Sequence, residues 1–169
     1  MSRIENLHLL TRRLIILTAA GLLVFVALFA LTFLDNRRLM ISWVVFICGI
    51  IGGFVSIQQR VKDIKDEELE LLCGSWFQIL LVPIFGAVFS LILYCIFLAG
   101  LLNSDIFPAF YIPSPPSGVP DNDFIVSVLQ KTYPLTGRDL AKLIFWSFAA
   151  GFTERLVPQI VSNFTSKGK

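Results

Sequence analysis

WFQILLVPIFGAVFSLILYCIFLAGLL, residues 76–102, carries no Asp, Glu, Lys or Arg over its whole length. A helix crosses a hydrocarbon core roughly 30 Å thick with about 20 apolar residues, so this run is long enough to span a bilayer. Two more uncharged runs precede it, at residues 14–34 and 39–57. A soluble chain of 169 residues has no interior that buries three such stretches, and the pattern predicts an all-α integral membrane protein. Composition agrees, with 56% of residues hydrophobic and 15% charged, against about 25% charged in a typical soluble domain.

A secretory signal peptide is the first competitor for the amino terminus, because Arg12 and Arg13 precede an apolar stretch. Signal-peptide cores run about 7–15 residues and end at small residues, whereas 14–34 is longer and ends in Phe33, Leu34 and Asp35. It reads as a retained first span. Asp35, Asn36, Arg37 and Arg38 then leave room only for a tight turn, so spans one and two form an antiparallel hairpin.

A fourth span is expected at 139–158, although its apolar part, 143–152, is only ten residues long. With Lys142 snorkelling at one interface and Arg155 at the other, a helix over 139–157 rises about 1.5 Å per residue and nearly crosses. A half-inserted or surface helix is the competitor. The expected layout is one domain with spans at 14–34, 39–58, 76–102 and 139–158, a connector at 59–75 and a loop at 103–138. Within the connector, residues 60–72 read either as an interfacial helix or as a solvated link. The loop holds six of the eight prolines, which favours extended or turned chain. A short helix over 124–130, capped by Asp121 or Asp123, would rest its apolar residues on the lipid headgroups.

Nine basic residues fall on the side of the termini: Arg3, Arg12, Arg13, Arg60, Lys62, Lys65, Arg155, Lys167 and Lys169. Five fall on the other, namely Arg37, Arg38, Lys131, Arg138 and Lys142. The positive-inside rule puts both termini in the cytoplasm and the proline-rich loop outside. The net charge of +2 and its dispersion give no nucleic-acid surface.

Small residues recur at four-residue spacing in the spans: Gly49 with Gly53, Gly86 with Ser90, and Ser147 with Gly151. Such pairs bare a strip of backbone that a neighbouring helix can approach closely. Pro83 lies about two turns into its apolar run and removes a backbone donor. Cys48 and Cys95 in the spans and Cys73 in the connector form no Cys-x-x-Cys and read as small buried hydrophobes.

Catalytic inventory is thin. His8 is the lone histidine and there is no Ser/His/Asp set, phosphate loop or His-x-x-x-His pattern, so no catalytic, cofactor or metal site is expected. Asp66 to Glu70 lacks the spaced oxygens of a calcium loop. Glu154 and Arg155 are the candidate polar site, since ionisable residues at membrane depth usually carry function. They read either as a cytoplasmic anchor or as a buried pair, with Arg60 facing Glu154 and a connector acid facing Arg155.

The strings GGFVSIQQR (52–60), GAVF (86–89) with FLAG (97–100), IFP (106–108) and FAAGFTERLVP (148–158) resemble a set of small bacterial four-helix inner-membrane proteins of unassigned function. The resemblance covers 40–160 and implies no activity. It implies that GFTERLVP is a structural unit in which Pro158 stops the last helix. The expected function is non-enzymatic, acting through helix–helix assembly as a homo-oligomer or with a membrane-protein partner. On that expectation Gly49→Leu or Gly151→Leu weakens assembly. The alternative is a small oligomeric channel or transporter using Glu154 and Arg155.

Overall fold

A computed structural model describes residues 3–35, 40–61, 76–102, 104–114 and 122–153. These residues are mostly helical. The long helices are α1 (Arg3–Asp35), α2 (Ile41–Arg60) and α3 (Trp76–Leu98). A two-residue strand β1 (Phe110–Tyr111), helix α4 (Asn122–Lys131), strand β2 (Tyr133–Pro134) and helix α5 (Gly137–Phe152) follow. Segments of α1, α2 and α3, namely Glu5–Leu28, Ile41–Arg60 and Ile79–Leu98, are long and apolar enough to cross a membrane.

The amino-terminal arm is not separate from the first span. α1 starts at Arg3 and its 33 residues extend about 50 Å. Leu10 and Leu14 are fully buried in a cluster with Phe54, Ile57 and Val61 of the α2 end and Ile79 of α3, and Leu7 and Leu17 pack on its edge. The 3–4 spacing of these leucines gives α1 one packing stripe. Gly21 continues it, at ordinary contact distance from Ile51.

α3 ends four residues before its apolar run does. Gly100 adopts φ 67°, its N–H donates to Phe97 O at 3.0 Å, and the Leu101 N–H reaches Ile96 O at 3.3 Å. This left-handed glycine cap closes the helix regardless of hydrophobicity. Cys95 is exposed on the helix surface and Cys48 is buried, so the small-hydrophobe reading fits Cys48 but not Cys95. Cys73 lies outside the described residues, as does the charged connector beyond Val61.

α2, α3 and α5 pack on one another, α3 antiparallel to the other two, around a second cluster of Val45, Leu93, Phe97, Leu143 and Ala150. Residues 106–109 are bonded to Asp139, Lys142 and Trp146 of α5 at the end of this bundle. β1 and β2 pair antiparallel, Phe110 opposite Pro134 and Tyr111 opposite Tyr133, with the two tyrosine rings stacked at 5.1 Å. The short helix begins at Asn122, two residues before the expected start.

Candidate functional site

All six small residues singled out by spacing meet in the middle of the bundle, within this one chain. A Cβ on Gly49 would stand 2.7 Å from Gly86 O and 2.8 Å from the Ala87 Cα, and against the Ser90 hydroxyl. A Cβ on Gly151 would strike the Gly49 carbonyl and come within 2.8 Å of the Gly49 Cα. On Gly53 it would lie 2.6 Å from the Pro83 Cα, so the proline is seated against bare backbone. Pro83 is fully buried there, and its missing N–H leaves the Ile79 carbonyl without its helical donor. Ser90, 1% exposed, donates to Ser147 O across helices at 2.6 Å and shares that proton with Gly86 O at 2.9 Å. Apolar burial drives little association among helices in lipid, where close backbone packing and such bonds hold them together.

Gly52 was not singled out, yet it packs as closely as its neighbours. Its Cβ would meet the Phe148 carbonyl and lie 2.8 Å from Phe152 N. The signal was available: Gly52 and Ser56 are also small residues four apart. Ser56 is 8% exposed. It lies on the Gly52 face of α2, one turn farther from the loop end.

These contacts fix the depth of α5. Gly49 and Gly86 sit near the centres of the apolar lengths of α2 and α3, and Gly151 is packed between them. The apolar part of α5, 143–152, therefore rises about 15 Å from the loop end and stops midway along α2 and α3. Thr153 is extended, φ −112° and ψ 99°, and its N–H makes the last helical bond, to Ala149 O at 2.9 Å. The described helix thus ends at Phe152, five residues short of the 139–157 expected. Residues 154–158 of the expected fourth span lie outside the described residues. Glu154, Arg155 and Pro158 lie outside the described residues, and Arg60 is the exposed last residue of α2.

A polar latch holds the other end of α5. Thr136 caps the helix, its hydroxyl oxygen accepting from Asp139 N at 3.2 Å while its proton goes to Asp139 Oδ2 at 2.6 Å. Asp139 Oδ1 accepts from Ala109 N at 3.2 Å. Lys142 donates to Phe107 O at 3.2 Å and lies 3.4 Å from Asp139 Oδ1. Trp146 Nε1 donates to Ile106 O at 3.0 Å. This turn precedes the apolar run, and the Thr136 hydroxyl, then the Ala109 N–H and Lys142, hold the Asp139 carboxyl below its ordinary range against the opposing effect of burial. The capping pattern Thr-x-x-Asp was legible; the loop carbonyls were not, because a backbone acceptor has no residue identity.

Among the described residues no three His, Cys, Asp or Glu side chains gather as a metal site, and His8 is exposed on α1. No protein-family model, curated protein or solved structure matches the chain.

Proposed function

We propose that this chain is a non-enzymatic, multi-pass component of a bacterial inner membrane, both termini cytoplasmic, that works through assembly as a homo-oligomer or as the accessory subunit of a membrane complex. The observation that carries this reading is the imbalance among the helices. α2, α3 and α5 consume one another's small-residue faces, whereas α1 uses one stripe and leaves Leu22, Leu23, Val24, Val26 and Leu31 exposed around its far half. α1, the least covered of the three long helices, is therefore the face we assign to assembly, and not the glycines. Gly49→Leu and Gly151→Leu would break the chain's own bundle first and report nothing about assembly. The test is the mass of the intact particle extracted in mild detergent, with every co-purifying chain identified. A stoichiometric oligomer or foreign partner is expected, and a bare monomer at native density in lipid nanodiscs would overturn the reading.

A second reading, a small channel or transporter, draws support from the end of α5 at Phe152. Irregular backbone at mid-membrane is tolerated where it is buried in protein or lines a water-filled path, and helix ends there commonly coordinate ions. The buried hydroxyl of Ser56 lies one turn beyond the Gly52 contact with that helix end, and Glu154 follows Thr153 in sequence. Cation flux into reconstituted vesicles should fall strongly in Glu154→Gln. Flux equal to that of wild type removes the residue from any pathway.

A further inference from the structure

α4 carries its five apolar residues on one side. At 100° per residue, Phe124, Val128, Ile125, Leu129 and Val126 fall on one arc, and Asp123, Ser127, Gln130 and Lys131 on the opposite one. The protein body covers only an edge of the apolar arc. Phe124 and Val128 are half-buried, whereas Ile125 and Leu129 are 54% and 57% exposed. In water such a face on a ten-residue helix would be unfavourable.

Its depth follows from the latch. With Phe152 midway along α2 and α3, Asp139 lies about 20 Å nearer the loop end, where a hydrocarbon half-thickness of about 15 Å has given way to headgroups. Asp139 holds Ala109 N, and Ala109 O accepts from Leu135 N at 3.0 Å. β2, and α4 one residue before it, are thereby tied to that level. Exposed apolar side chains are also found outside α4 and the three spans: Phe145 on α5, Leu101 and Ile106 past α3, and Ile112 and Leu135 beside the strands. Lys131 at the end of α4 and Arg138 on the first turn of α5 are both exposed and place positive charge where lipid phosphates lie.

We infer that α4 is a lipid-contact helix, lying in the headgroup layer of the membrane that α1, α2 and α3 cross, with Ile125 and Leu129 inserted and Lys131 and Arg138 facing phosphate. The surface fits the bilayer itself. The inference rests on membrane embedding, which the experiment tests separately. Full-length protein, with its three cysteines replaced by alanine, is spin-labelled singly at Ile125→Cys, Leu129→Cys, Gln130→Cys or Ile84→Cys in nanodiscs holding only phosphatidylethanolamine and phosphatidylglycerol. Ile84 is exposed at mid-length on α3 and reports embedding. Labels at 84, 125 and 129 should collide several-fold more with oxygen, relative to a water-soluble nickel chelate, than the label at 130. If 84 sees oxygen while 125 and 129 see nickel as 130 does, α4 stands in water and the inference fails alone. If 84 also sees nickel, embedding fails and the inference with it. Exposed positions keep the labels from disturbing the fold.

Discussion

At Gly151 one added methyl group has nowhere to go. Its neighbours are the backbone carbonyl and Cα of Gly49, which cannot swing aside as a side-chain end does. Gly151→Ala should destabilise the bundle by about 1–3 kcal/mol, the usual range for overpacking, read as a lower midpoint in a denaturing-detergent titration. Gly137 is the control, since a Cβ there meets nothing within 4 Å. Gly137→Ala should be neutral or stabilise by up to ~1 kcal/mol, because alanine is the better helix former. A midpoint unchanged in Gly151→Ala would contradict the packing. The sequence singled out Gly151, Gly49 and Gly86 because their periodicity bares a helix face. It did not say what covers that face, because residues 49 and 151 are a hundred positions apart and their contact leaves no local trace.

For elements, length and hydropathy made α1, α2 and α3 legible, while their ends were set by features outside the apolar count. The cap at Gly100 ends α3, and packing of Leu7 and Leu10 on the α2 end carries α1 helically through the arm. α5 was the least legible, since ten apolar residues suit both a short span and a half-span, and only the Gly49 and Gly86 contacts place its described end midway along α2 and α3. Its latch makes a pH prediction. Asp139 has a lowered carboxyl pKa in the folded protein, so its stabilisation is complete above the ordinary value of 3.8 and is lost as pH falls through the lowered one. Asp139→Asn should therefore melt below wild type at pH 7, with the gap narrowing as pH falls below 3.8 and through the lowered value, where the wild-type carboxylate takes up its proton. A gap that stays constant over that range would assign the loss to shape and not to charge.

On the scale of the whole molecule, two parts are distinguishable. α2, α3 and α5 form a close-packed unit whose interface lets backbones touch, and α1 is attached along one leucine stripe. Assembly assigned to α1 predicts that Leu23→Cys, on the exposed side and with the three native cysteines replaced by alanine, gives a cross-linked dimer under mild oxidation. A cysteine at Gly21, which faces Ile51, should not. Equal cross-linking at both, or none at either, would count against α1 as the contact. The order of synthesis gives the bundle a further property. α2 and α3 leave the ribosome long before α5, yet Gly49 and Gly86 face Gly151 as well as each other. If α2 and α3 pair before the last helix is made, the nascent hairpin would carry an open glycine-lined slot. Completion of the chain closes it, so a translation product halted before residue 137 would present membrane quality-control proteases with a bare backbone groove that the finished protein never shows.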